Sequence, residues 1–293
     1  MAVVELCGSD FAGNLTGRRP NTGNLPRVWW MGAGIASYLP FHAAGIHTLG
    51  SSDNTLCWAV SSYAPTIIAL TYAREGRTTA TVTLDPPKPL VVTMPRTPGK
   101  RDLPGVENEK AAIEMVAQST FPTETLNQPD AKMVLERLIQ CDMLHFAGRG
   151  VADYTDPFNS SLLLQKGHGA AATVDNLSVR EVFNLHLKGA RIAYLSACST
   201  AETWAIRLLD EVIHLASGFQ IAGFSHVIAS MWPTDDDACA EMATGFYGQL
   251  KDKIERGIEN RDVAVAAHQS VMEMRSKWLR YPLLWAPYIH LGA

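Results

Sequence analysis

Two short stretches decide the fold: CDMLHFAGRG, residues 141–150, and ARIAYLSACST, residues 190–200. Each is an apolar run of strand length that ends in small residues. The first run ends at Arg149 and the second ends at Cys198. Both runs predict buried strands, and each strand delivers a chemically distinctive side chain at its carboxyl end.

Similar apolar runs recur along the chain and alternate with segments of helical period. This order predicts five or six strands joined by helices, hence an α/β fold with a mostly parallel central sheet and helices on both faces. Residues 55–76 are expected to be helical, with a helix interrupted or started at Pro65. The segment SVREVFNLHL predicts a helix capped by Ser178. The closing WAPYIHLG, residues 285–292, predicts an edge strand.

The 293 residues, of which 47% are hydrophobic and 18% charged, have the composition of a globular protein. One domain is expected over residues 27–293, because no linker or low-complexity segment divides that part of the chain. Residues 1–26 are expected to form a loose N-terminal lead-in, since they are rich in glycine and polar residues.

The charge and cysteine content exclude several classes of function. A net charge of −4 gives no basic field for nucleic acid. No window approaches the ~18–20 apolar residues of a membrane span, and the first residues lack the pattern of a secretory signal. The five cysteines have wide, irregular spacing, unlike a disulfide framework or a CxxC metal site. We therefore expect a cytoplasmic protein with reduced thiols and predict no metal and no cofactor.

Functional groups of open α/β sheets gather at the carboxyl ends of the strands. If the strands that end at Arg149 and Cys198 are neighbours, the two positions face each other across one crevice. That is the geometry that a nucleophile and its partner need. Backbone N–H groups near Gly150 and Cys198 are candidates for an oxyanion hole.

The motifs HFAGRG, ARIAYLSACST, HVIASMWPTDDDACA and PLLWAPYIHLG, in this order, resemble a CHAT domain. The resemblance implies a caspase-like fold and a Cys–His dyad of the caspase and separase type. It implies that Cys198 is the nucleophile. The dyad histidine of the family precedes the glycine of an HG motif, and here Arg149 holds that position. Most family members follow tetratricopeptide repeats, so a repeat-containing protein is an expected partner.

Two histidines are candidates for the missing base. His145 lies four residues before Arg149 and shares its strand face, so it is kept as a candidate catalytic residue. Four strand residues span roughly 13 Å, however, which favours a buried, hydrogen-bonded role for His145. His168, in QKGHGAA, belongs to a predicted hairpin loop and is expected to be exposed.

A guanidinium beside Cys198 would stabilise the thiolate. It cannot exchange protons near neutral pH, although the leaving amine of a cleaved peptide needs one. The sequence therefore favours a weak or inactive peptidase that acts as a binding or regulatory module for a peptide or protein ligand. The alternative is an active cysteine endopeptidase with Cys198 as nucleophile.

Two carboxylates at predicted strand ends are candidates for a substrate pocket that would suit a basic side chain. They are Asp153, the last residue of RGVAD, and Asp235, after Trp232. For Asp236 and Asp237 we expect a role at a helix N-terminus, where the dipole favours a carboxylate.

Overall fold

The computed structural model describes the backbone of residues 3–7, 25–32, 36–37, 39–75, 88–117, 122–151, 153, 155–187, 189–199, 208–254 and 257–293. It describes their side chains except those at 3–7, 72, 75, 157, 170, 197–199, 208–214 and 254.

The strands are β1 (Val3–Cys7), β2 (Arg27–Met31), β3 (Val60–Tyr63), β4 (Pro89–Thr93), β5 (Glu124–Asn127), β6 (Met143–Val151), β7 (Ser161–Lys166), β8 (Thr173–Ser178), β9 (Ile192–Ser199), β10 (His226–Ser230) and β11 (Tyr288–Gly292). The α-helices are α1 (Thr55–Trp58), α2 (Ile67–Glu75), α3 (Gly105–Ala117), α4 (Ala131–Leu138), α5 (Val179–Asn184), α6 (Leu208–Ile221), α7 (Asp236–Ile254), α8 (Asn260–Lys277) and α9 (Pro282–Trp285).

These strands of the described residues form one sheet in the order β1-β2-β3-β11-β10-β9-β6-β4-β5, and the hairpin of β7 and β8 pairs with the end of β6. Strands β10, β9, β6, β4 and β5 form a continuous parallel block. Their carboxyl ends therefore meet at one edge of the sheet, which is where the candidate site lies.

Helices cover both faces of the sheet, as predicted. Side chains alternate along each strand, so neighbouring residues of one strand enter different cores. One core joins the sheet to α4, α5 and α6, with Leu144, Phe146, Leu195, Val134, Val182 and Phe219 among its buried residues. The other joins the sheet to α3, α7 and α8, with Met143, Tyr194, Ile228, Ile113, Phe246 and Val271 among its buried residues.

Four sequence expectations need correction. The described residues form eleven strands rather than five or six, because strands such as β5 and β8 carry no long apolar run. The segment predicted as one interrupted helix contains strand β3 between α1 and α2. The last strand, β11, is not at an edge: it lies between β3 and β10, and it is antiparallel to β10. Within the expected loose lead-in, Val3–Cys7 form β1, which pairs antiparallel with β2.

The prediction for Ser178 is confirmed. Its side chain accepts a hydrogen bond from the backbone N–H of Glu181, and the Glu181 carboxylate accepts one from the backbone N–H of Ser178, which together form a capping box. In the described part of the chain, none of the helices is long and apolar enough to span a bilayer.

Candidate active site

Arg149 and Cys198 are neighbours at the carboxyl edge of the sheet. Strands β6 and β9 run parallel and in register from Met143 opposite Ile192 to Gly150 opposite Ser199, and Arg149 is the register partner of Cys198. The prediction that these two strands adjoin is therefore confirmed for the backbone. The side chain of Cys198 lies outside the described residues.

The guanidinium of Arg149 holds a loop. Its Nη2 atom donates a hydrogen bond of 2.7 Å to the carbonyl oxygen of Arg101, in the loop that leads from β4 to α3. The same loop is closed on itself by a hydrogen bond from the N–H of Leu103 to the carbonyl of Pro95. Arg149 is half-buried, and its Nε atom has no hydrogen-bond partner among the described residues. This arginine therefore anchors the loop to the edge of the sheet and places a positive charge there.

His145 is fully buried below the crevice. Its Nδ1 atom lies 3.1 Å from the hydroxyl of Tyr247 on α7, and its ring stacks on Tyr194 with 4.7 Å between the centroids. Its Nε2 atom lies 3.2 Å from Oε1 of Glu109, an ion-pair distance at which hydrogen-bond geometry is not met. The expectation of a buried, partnered strand histidine is confirmed, and both ring nitrogens face groups other than the crevice.

Glu109 is a site residue that the sequence analysis missed. It projects from α3 into the core, where it is 2% exposed, and its Oε2 atom accepts a hydrogen bond of 2.9 Å from the hydroxyl of Ser196. Ser196 stands two positions before Cys198 on β9. One carboxylate thus connects α3 to both strands of the site, and a buried carboxylate requires such partners.

Two tyrosines beside Glu109 are held neutral. Burial, and secondly the charge of Glu109, raise the pKa of the Tyr194 and Tyr247 hydroxyls well above their usual range. Neither hydroxyl therefore supplies a base near neutral pH.

The small residues of the first motif have a packing role. A Cβ atom added at Gly148 would lie 2.8 Å from Cβ of Met94 and 2.8 Å from the ring of Phe146, so only glycine fits between them. Gly150 is paired on both sides, opposite Ser199 of β9 and Leu162 of β7. Its proposed role in an oxyanion hole stays a prediction.

Asp153 organises its own turn. Its Oδ1 atom accepts hydrogen bonds from the N–H and hydroxyl of Thr155 and from the N–H of Asp156. The hydrogen bonds from Thr155, followed by that from Asp156, lower the pKa of this carboxyl to about 2. The pocket role predicted for Asp153 stays a prediction, and the contacts of its Oδ1 atom are local.

The three aspartates after Trp232 lie at helix starts. Oδ1 of Asp235 accepts a hydrogen bond of 3.0 Å from the N–H of Asp237 at the start of α7. Oδ2 of Asp236 accepts one of 3.0 Å from the N–H of Gly105, the first residue of α3. Asp236 and Asp237 lie in the first turn of α7, as expected. Asp235 has the contacts of a helix cap, and its pocket role stays a prediction.

His168 lies in the exposed turn between β7 and β8, as predicted. This turn is at the end of the hairpin away from Ser161–Leu163, where β7 pairs with β6. It contributes nothing to the crevice. The described residues at the carboxyl edge therefore offer a cysteine position, a fixed positive charge and no exposed histidine.

Comparison with known proteins agrees with this architecture. The profile of the CHAT domain matches residues 12–293. The crystal structure of the Arg-specific cysteine proteinase gingipain R matches with a TM-score of 0.51 at 10% identity, covering 79% of this chain and 53% of that one. The complex of pro- and mature domains of RgpB from Porphyromonas gingivalis matches with a TM-score of 0.51 at 10% identity, covering 79% and 54%. The Saccharomyces cerevisiae separase–securin complex gives a TM-score of 0.49 at 15% identity, covering 80% and 14%.

The chain thus spans about half the length of the gingipain structures. No curated protein matches the sequence. The structural likeness supports a caspase-like peptidase fold, and the profile covers nearly the entire sequence. The chain belongs to the CHAT domain family.

Proposed function

We propose that this protein is a CHAT-family peptide-binding module whose own peptidase activity is weak or absent. The observation that carries the proposal is the pairing of Arg149 with Cys198 in neighbouring strands. By resemblance, the position of Arg149 belongs to the dyad histidine. A guanidinium held against the carbonyl of Arg101 now stands there.

The two halves of amide cleavage place different demands on this pair. A nearby guanidinium favours the thiolate of Cys198, so the attacking group forms readily. Expulsion of the amine requires a proton donor that regains its proton in the next step, and a guanidinium does not cycle in this way near neutral pH. Loss of general acid–base catalysis typically lowers a rate by ~10²–10⁴-fold.

His145 is poorly suited to replace the missing base. It lies four residues back along β6 from the register partner of Cys198, roughly 13 Å at the rise of a strand. Its ring is fully buried and faces Glu109 and Tyr247. Moving it to the crevice would leave the buried carboxylate of Glu109 without its basic neighbour, which is costly.

A site that keeps its nucleophile position but cleaves its ligand slowly is suited to binding a peptide or protein. A binding or regulatory role in the cytoplasm follows from this proposal, with a repeat-containing protein as the expected partner. The alternative function is that of an active cysteine endopeptidase whose base comes from outside the described residues.

The decisive experiment compares the unaltered protein with Arg149→His, Arg149→Gln and Cys198→Ala. Each is incubated with a peptide library and, separately, with a thiol-directed peptidyl reagent. We expect the unaltered protein and Arg149→Gln to cleave at background rate while both still react with the reagent. Arg149→His should gain ~10²-fold or more in cleavage, and Cys198→Ala should lose the labelling at this site.

Equal turnover by the unaltered protein and Arg149→His, abolished by Cys198→Ala, would establish the active endopeptidase instead. Absence of peptidyl labelling at Cys198 in every variant would overturn the peptide-binding proposal.

A further inference from the structure

A small cleft opens beside the proposed nucleophile, at the carboxyl ends of β9 and β10 and against the start of α7. It encloses about 270 Å³, including the part open to solvent. Its described polar lining carries five hydroxyls and one thiol, those of Tyr194, Ser196, Ser230, Thr234, Tyr288 and Cys239. Ser196 is two positions before Cys198 on β9. A peptide bound at Cys198 would therefore have this cleft within reach of a neighbouring side chain.

One hydroxyl of this cleft has no partner. Tyr194 is 2% exposed, and its Oη atom is buried without a hydrogen bond to any described residue. Burial, and secondly the charge of Glu109, raise the pKa of this hydroxyl, so it stays protonated and available as a donor. A buried donor without an acceptor is rare in folded proteins. The acceptor for the hydrogen bond of Tyr194 must therefore come from outside the described residues.

Four other polar groups of the cleft are engaged, those of Ser196, Thr234, Cys239 and Tyr288. The hydroxyl of Ser196 donates its proton to Glu109, which leaves its oxygen lone pairs as acceptors. The hydroxyl of Thr234 lies 2.9 Å from the sulfur of Cys239, and the Tyr288 hydroxyl donates to Thr234 over 3.4 Å. The lining therefore offers the buried, unpartnered hydroxyl of Tyr194 and adjacent acceptors.

The described lining carries no charged side chain. The buried carboxylate of Glu109 lies directly behind Ser196, so a ligand carboxylate in the cleft would face a like charge. Because the 270 Å³ include open solvent, the enclosed part of the cleft is smaller still, which disfavours a bulky side chain. Carboxylate and bulky side chains are both disfavoured.

We propose that this cleft receives the ligand side chain next to Cys198 and selects small, uncharged, hydrogen-bonding residues such as serine. The hydroxyl of such a residue would accept a hydrogen bond from the Tyr194 hydroxyl. This rests on the proposed function, because it requires a peptide to bind across Cys198.

The test uses peptidyl chloromethyl ketones of one sequence that differ only in the residue bearing the warhead: serine, alanine, leucine or arginine. In the labelling step the sulfur of Cys198 displaces chloride, so a C–S bond replaces the C–Cl bond and no leaving amine needs a proton. Labelling rates at Cys198 are followed by mass spectrometry of peptides from the unaltered protein, Tyr194→Phe and Tyr247→Phe. The last is the matched control, because the Tyr247 hydroxyl lies against His145.

In the unaltered protein, we expect the serine reagent to label about 3- to 10-fold faster than the alanine reagent, the gain from one hydrogen bond. The leucine and arginine reagents should label more slowly still. Tyr194→Phe should bring the serine-to-alanine ratio to about one, since it removes only the unpaired hydroxyl. Tyr247→Phe should keep the ratio of the unaltered protein.

Equal labelling rates for the serine and alanine reagents would overturn this inference. That result is expected if a buried water, and not the ligand, accepts the hydrogen bond of Tyr194. A serine preference that survives Tyr194→Phe would also overturn it. Labelling of Cys198 by iodoacetamide but by none of the peptidyl reagents would instead overturn the proposed function.

Discussion

The guanidinium of Arg149 donates to the carbonyl of Arg101 over 2.7 Å, and this contact joins the edge of the sheet to the loop before α3. An imidazole is shorter than an arginine side chain and cannot make the same contact from the same backbone position. Replacing Arg149 with histidine would therefore remove the hydrogen bond that anchors the loop and introduce a side chain that can exchange a proton. The observed contact of Arg149 is thus a structural one, between the sheet and this loop.

The first prediction concerns the reactivity of Cys198. Arg149→Gln removes the positive charge, so the pH midpoint of iodoacetamide labelling at Cys198 should rise by about one unit or more. Arg149→Lys should keep the midpoint closer to that of the unaltered protein. Cys141 is the internal control, because burial, then the neighbouring charges of Glu124 and Asp142, raise the pKa of its thiol to about 11. An unchanged midpoint in Arg149→Gln would mean that the guanidinium does not act on the thiol.

The second prediction concerns the pair of Glu109 and His145, which are 3% and 0% exposed in their side chains. Replacing one member alone leaves the other buried without its partner, so Glu109→Leu should lower the free energy of unfolding by about 3–5 kcal/mol. The double variant with His145→Leu should recover part of this loss. Urea unfolding of the four proteins measures the coupling. Additive losses would show that the two groups are independent.

The third prediction concerns acid stability. Burial is the main cause that lowers the pKa of His42 and His268 to about 4, and it lowers that of His290 too. Unfolded histidines titrate near pH 6.5, so the unfolded chain binds these protons first. The stability contributed by the neutral rings is complete above about pH 6.5 and falls as the pH drops towards 4, by about 3 kcal/mol for each of His42 and His268.

Urea midpoints between pH 7 and pH 4 test this dependence. His268→Gln should reduce the slope of stability against pH by up to one proton, because one titrating group is removed. His168→Gln, in an exposed turn, should leave the slope unchanged. A profile that is flat between pH 7 and pH 4.5 would contradict the prediction.

The fourth prediction separates Asp236 from Asp237. Asp236 caps the first N–H of α3 from the neighbouring helix, so Asp236→Ala should cost about 1 kcal/mol of unfolding free energy. Asp237→Ala removes an exposed carboxylate and should cost less. Thermal unfolding of the two variants checks the order. If both lose equally, the contact with Gly105 contributes nothing beyond the helix dipole.

Elements with strong local signals were predictable. The capping box at Ser178 and the buried strands at β4, β6, β9 and β10 follow from residue type and apolar runs. Strand β3 was missed because residues 55–76 carry apolar residues at helical spacing, and only pairing with β2 and β11 makes its four residues a strand. The position of β11 was missed for a similar reason, since the order of strands is a property of the whole sheet.

Glu109 was not among the site residues predicted from the sequence. In a helix with the sequence GVENEKAAIEMVA, a glutamate suggests a solvated face. Its spacing from Val106 and Ile113 places it in the buried stripe, and that periodicity was the available signal. Its contacts with His145 and Ser196 required the packing of α3 on two strands.

The central place of β11 has a consequence for synthesis on the ribosome. Strands β1 to β3 reach the parallel block through β11, and the carbonyl of Gly292 accepts hydrogen bonds from Trp29 and Arg27 of β2. Both halves of the sheet are translated before the strand that joins them. The earlier strands must therefore wait with open edges until residue 292 has cleared the exit tunnel, an interval in which pairing with another chain competes with closure.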